Sequence, residues 1–82
     1  MTVTLQIFGT GCAKCDKLAR MTEEAARELG LDYTFEKVSD LGTMADMGVM
    51  VTPGLAVNGT VVAAGRLPTP LAVRRLIDDA LK

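Results

Sequence analysis

Two cysteines two residues apart, Cys12 and Cys15 in Gly9-Thr10-Gly11-Cys12-Ala13-Lys14-Cys15, are the side chains whose type and spacing can do chemistry in this sequence. A thiolate is both a nucleophile and a soft-metal ligand, and two intervening residues on a helical turn keep the second thiol within reach of the first. The pair therefore admits thiol–disulfide exchange, carriage of Cu(I) or Zn(II), or redox sensing without catalysis. A purely structural bridge is the weakest reading, because a ring closed across two residues constrains the unfolded chain little. The sequence has no histidine and no third cysteine to complete a closed tetrahedral zinc site.

The elements that must hold the pair follow from periodicity. Val3, Leu5 and Ile7 alternate with Thr4 and Gln6, which predicts a half-buried strand over about 2–8. After the cysteines, Cys15, Leu18, Thr22, Ala25 and Leu29, with Ala19 and Ala26 beside them, recur at helical spacing, and Gly30 is placed to end the helix. Cys12 then falls at a helix N-terminus, where unpaired N–H groups and the positive end of the dipole stabilise a thiolate and lower its pKa. Lys14 is either a further influence on that thiolate or a solvated side chain, and Asp16 opposes it electrostatically. Glu23 and Arg27 lie four apart on the outer face, a solvated ion pair.

A second strand over 32–38 puts Tyr33 and Phe35 on one face and, being joined to the first by a helix, should run parallel to it. Ser39 or Asp40 can cap a short helix carrying Leu41, Met44, Ala45 and Met47. Met44, Met47 and Met50 read as core rather than as an adaptable docking surface. Pro53 opens the extended run 55–57, where its missing N–H spares a ladder bond. Asn58-Gly59 is a hairpin signal joining that run to 60–64. After a loop over 65–68, Thr69 caps and Pro70 opens a last helix with Val73, Leu76, Ile77, Ala80 and Leu81 inward, and Arg74 with Asp78 and Arg75 with Asp79 toward water. The order is strand-helix-strand-helix-strand-strand-helix. This is an α/β chain, residues 1–82 forming a single domain with a four-stranded mixed sheet flanked by helices.

Composition narrows the partners. A chain of 82 residues buries roughly 60% of its unfolded surface, so its core is small. With one Tyr and two Phe, that core must be mainly aliphatic. The longest apolar run, 61–64, is far too short to span a bilayer, and the N-terminus lacks the basic and apolar regions of a secretory signal. A cytoplasmic address is expected, and in a reducing compartment a Cys-x-x-Cys pair is catalytic or metal-binding rather than structural. The net charge of −1 comes from interleaved signs, which argues against nucleic acid and anionic membrane surfaces and leaves proteins or small disulfides.

With Cys12-Ala13-Lys14-Cys15 after strand one, Val51-Thr52-Pro53 opening strand three, then Val57-Asn58-Gly59 and a terminal helix, the chain resembles the thioredoxin superfamily along nearly its whole length. At this size it is most similar to the small redox-active disulfide proteins of bacteria and archaea. The resemblance implies a thioredoxin-like fold and a thiol–disulfide oxidoreductase, acting as a protein disulfide reductase with no cofactor and no metal of its own. It implies Cys12 as attacking thiol, Cys15 as resolving thiol, a redox-active Cys12–Cys15 disulfide, and Pro53 in cis facing the dithiol. Thr52 would offer main-chain hydrogen bonds to an extended substrate segment, with Gly11, Ala13 and Lys14 completing the contact. The implied partners are disulfide-containing proteins and, since no nucleotide-binding motif is present, a separate reductase; a monomer is expected. Gly11 stands where typical thioredoxins carry tryptophan, and strand one has no carboxylate to take a proton from the resolving thiol. Ala63-Ala64-Gly65-Arg66 replaces the glutathione contacts of glutaredoxins. Metallochaperones with this dithiol usually end on a strand and lack Thr-Pro, whereas this chain ends on a helix.

Overall fold

Residues 2–9 and 13–81 are described by the computed structural model. Along β1 (Val3–Phe8), alternation sends Val3, Leu5 and Ile7 to one face of the sheet and Phe8 to the other. The first face is covered by α1 (Ala13–Glu28) and α3 (Pro70–Ala80), which bury Leu18, Ala26, Val73 and Ile77 against it. On the second face α2 (Leu41–Asp46) contributes Met44 to a smaller cluster with Phe8, Val38, Val49 and Ala56. No helix among the described residues is long and apolar enough to cross a membrane.

The sheet order is β2-β1-β3-β4. β2 (Tyr33–Val38) runs parallel to β1, as a helical crossover requires, while β3 (Gly54–Val57) is antiparallel to β1 and β4 (Thr60–Ala64) antiparallel to β3. The last pairing comes from Asn58 and Gly59, whose φ values of 51° and 84° are the two positive angles of a hairpin turn matched to the strand twist. Asn58 also ties the turn to β1. Its N–H donates to Thr4 O at 2.8 Å, and its Oδ1 accepts from Thr4 N–H at 2.9 Å. The register slips by one residue between Leu55 and Ala56, leaving Val62 unpaired on β4 as a bulge.

The end of α1 and the start of α3 lie where the sequence places them. Gly30, at φ 68°, donates its N–H to Arg27 O and Leu31 donates to Ala26 O, both at 3.0 Å, the paired bonds that close a helix through a left-handed glycine. Thr22, polar yet fully buried in the inward stripe of α1, is satisfied by donating to Leu18 O at 2.8 Å. Thr69 Oγ1 caps α3 by accepting from Ala72 N–H at 3.2 Å, with Pro70 in the first turn.

Several expected placements are corrected. Leu41 is 78% exposed and Ala45 is exposed, because α2 has six residues and its inward stripe has room for Met44 alone. The methionines split accordingly: Met44 is core, Met47 packs at its edge, and Met50, beyond the helix, is 82% exposed. On α3 the face that buries Val73 and Ile77 continues through half-buried Leu81, so Ala80 is exposed and Leu76 half-buried. Arg74 reaches across to α1, its Nη1 3.0 Å from Glu28 Oε2, a pair that spacing within α3 does not predict.

Asp40 is the cap of α2. Its Oδ2 accepts from Thr43 Oγ1 at 2.6 Å and from Thr43 N–H at 3.0 Å, and these bonds, the hydroxyl's first, hold the carboxyl below its usual 3.8. A carboxylate with a depressed folded pKa stabilises fully while it is ionised in both states, and the contribution is lost as the pH falls through the folded pKa. Asp40→Ala should therefore melt below the wild type at neutral pH, with the gap narrowing once the pH drops under 3.8. Thermal scans across that range check this, and a gap independent of pH would show that the charge contributes nothing.

Candidate active site

The register of the sheet assembles the site. Phe8 pairs with Gly54, so the residues just after β1 and those just before β3 must lie side by side. After β1 the backbone turns at Gly9, with φ at 102° and its N–H still donating to Val38 O at 2.9 Å, a conformation that favours glycine. Before β3 stand Thr52 and Pro53, and the bond between them is cis. Pro53 is buried and Thr52 exposed. Pro53 O accepts from Gly65 N–H at 2.9 Å, and Val51 rests on Gly65, where a Cβ would come within 3.2 Å of the Val51 side chain.

Cys15 is the third residue of α1 and 2% exposed, and its sulfur is held in a disulfide. That sulfur and the side chain of Thr52 converge on Gly9 from α1 and from the loop before β3. Of the sequence-predicted site residues, Cys15, Thr52 and Pro53 are thus brought together, and Ala13 and Lys14 are exposed on the first turn of the same helix. The expected places of Cys12 and Gly11 lie outside the described residues. Among the described residues Thr22 is the buried polar or charged side chain, so no carboxylate is buried beside Cys15. No three of His, Cys, Asp or Glu among them group as a metal site.

Sequence reasoning missed the parts played by Gly9 and Gly65. Gly9 is visible as a turn residue, but its contact with Thr52, more than forty positions away, exists only once β1 and β3 are paired in register. Gly65 shows no signal beyond a loop glycine, yet it carries the loop that holds Pro53.

A disulfide-bonded sulfur in the first turn of a helix, beside the loop whose cis-proline leads into an antiparallel strand, is the arrangement of dithiol proteins on an α/β sheet. The family described as thioredoxin domain matches residues 3–78. Over 80 residues the chain is 40% identical to a thioredoxin of Methanocaldococcus jannaschii, covering 98% of this chain and 92% of that one. Over 73 residues it is 37% identical to a thioredoxin of Methanothermobacter thermautotrophicus, covering 89% and 95%. The solution structure of oxidised thioredoxin from Plasmodium falciparum matches with a TM-score of 0.67 over 95% of this chain and 80% of that one, at 20% identity, a likeness of fold. The chain belongs to the thioredoxin family, and its chemistry is that of a thiol–disulfide oxidoreductase.

Proposed function

We propose that this protein reduces disulfides in other proteins, with Cys12 as the attacking thiol and Cys15 as the resolving one. The observation that carries the reading is the disulfide-bonded sulfur of buried Cys15 converging at Gly9 with the side chain of Thr52, the residue before Pro53. Cys12 is the only other cysteine of the chain, so the redox couple is assigned to Cys12–Cys15. With Cys15 2% exposed, its sulfur is out of reach of a folded partner, which leaves the first attack to Cys12. Its thiolate forms a bond to one sulfur of the partner disulfide, and the bond within that disulfide breaks, its electron pair leaving on the other sulfur, which takes a proton. Cys15 thiolate then bonds to the Cys12 sulfur, the mixed disulfide breaks, and the partner's second sulfur leaves and is protonated. The partner gains two electrons and the protein is left oxidised.

Substrate contact falls to the exposed rim. Among the described residues the backbone of exposed Thr52 makes no hydrogen bond, which suits it to pair with an extended segment around the partner's cysteine. Exposed Ala13 and Lys14, on the first turn of the helix that carries Cys15, are assigned to the same substrate contact, as is Gly11. A separate reductase returns the two electrons by the same exchange in reverse. We place this activity in the cytoplasm, in a monomer that needs no cofactor.

The test is reduction of insulin disulfides by the pre-reduced protein in single turnover, together with titration of each lone thiol by thiolate absorbance. Wild type should cleave insulin and Cys12→Ser should not. The thiol of Cys15→Ser should ionise below the reference of about 8.5 and at lower pH than the thiol of Cys12→Ser, because a helix N-terminus favours the thiolate and burial disfavours it. The reverse order would overturn the assignment of roles, and an inert wild type would overturn the function.

A further inference from the structure

Gly9 belongs to no part of the chemistry described so far, yet it is the point on which two functional elements close. A Cβ at residue 9 would lie 2.9 Å from Thr52 Cβ and 3.0 Å from both Thr52 Cγ2 and Cys15 Sγ. Real Cβ atoms do not approach others so closely, so the methyl-sized space that glycine leaves is already filled from two sides. One side is the buried sulfur on α1, and the other is the residue before cis-Pro53. Neither neighbour yields easily. Cys15 is fixed in α1 and fully packed, and Thr52 is tied through Pro53 to Gly65 and to the start of β3.

We propose that Gly9 is a positioning residue for the second half of the exchange, its missing side chain setting how closely the Cys15 sulfur and the Thr52-Pro53 loop approach each other. The proposal rests on the reading of Cys15 as resolving thiol. During resolution the Cys15 sulfur must line up with the Cys12–partner bond while the partner segment lies along Thr52. A side chain at position 9 pushes sulfur and loop apart, so it misaligns the second attack. The first attack, made by Cys12 on an external disulfide, does not pass through this contact. The expected signature is therefore a split between the two steps.

In Gly9→Ala, resolution of the mixed disulfide should slow roughly 10- to 100-fold, the scale on which an ångström of misplacement acts, while the first attack changes less than about threefold. Both rates are read by mixing reduced protein with a disulfide-bonded substrate, quenching with an alkylating agent and counting mixed disulfide against time. Positive φ strains alanine at position 9 whatever the space, so Gly59→Ala serves as the control: φ there is 84° and nothing stands within 4 Å of a Cβ. It should lose stability without any split. Gly9→Ala/Thr52→Gly removes two of the three close contacts and should restore part of the resolution rate, and it replaces the single variant if that one does not fold. Equal slowing of both steps, no slowing, or no rescue by the double variant would overturn the role of Gly9. A wild type that forms no mixed disulfide at all would instead overturn the exchange mechanism, so the two failures are distinct.

Discussion

Cys15→Ser should strand partner proteins on Cys12 as mixed disulfides, while Cys12→Ser should strand very few. Exchange needs two attacks, and only the second frees the partner. The proposed resolving thiol, Cys15, is three positions from Cys12 in the chain and fixed in α1, so on that reading resolution is intramolecular and no external thiol at millimolar concentration competes with it. Serine in its place leaves release to those external thiols, and the lifetime of the covalent intermediate should lengthen by on the order of 10³-fold. The experiment is incubation of each variant with cell lysate, alkylation, and gels run with and without reductant. Bands that vanish with reductant and occur only for Cys15→Ser establish the order of attack, and mass spectrometry of those bands identifies substrates and reductase. Equal trapping by both variants would mean that the thiols are equivalent. Trapping by neither, combined with tight zinc binding by the wild type, would return the dithiol to metal carriage.

How far the sequence carries a reader depends on whether a feature is local. Helix ends and the hairpin are legible because Gly30, Thr69-Pro70 and Asn58-Gly59 encode their own backbone angles and caps. The direction of two strand pairs follows from connection lengths: a helix between β1 and β2 demands a parallel pair, and a two-residue turn demands an antiparallel one, whereas the β1–β3 pairing that sets the sheet order has no such local signal. Burial is legible where a period runs long enough, as in α1. It fails in α2, where Leu41 and Ala45 satisfy the same spacing as Met44 but the helix is too short to present them to the sheet. The site divides the same way. Cys12 and Cys15 announce themselves by type and spacing, whereas Gly9 and the Arg74–Glu28 pair gain their roles from residues more than forty positions distant, and Gly65 gains its role from Val51 and Pro53 across the β3–β4 hairpin.

Phe8→Ala should be the most damaging of the core truncations. Phe8 is fully buried in the small cluster with Val38, Met44, Val49 and Ala56, which holds α2 and the chain leading to Thr52 against the sheet. Its ring fills the space over Gly54, where a Cβ would sit 3.2 Å from Phe8 Cδ2 and 3.3 Å from Val49 Cγ1. Glycine at 54 cannot spread into the void that alanine at 8 would leave. Removing a buried phenylalanine costs about 3–5 kcal/mol, out of a total of about 5–15 kcal/mol for ordinary domains and toward the low end for one this small. The midpoint of urea unfolding should fall steeply with little change in slope. Because Val49 and Gly54 bracket the Thr52-Pro53 loop, exchange should also slow in the fraction that stays folded. Leu71→Ala, at a side chain 60% exposed on α3, should shift stability by less than about 0.5 kcal/mol and leave exchange untouched. A loss below about 1 kcal/mol for Phe8→Ala would mean that α2 and the loop are held by something other than this cluster.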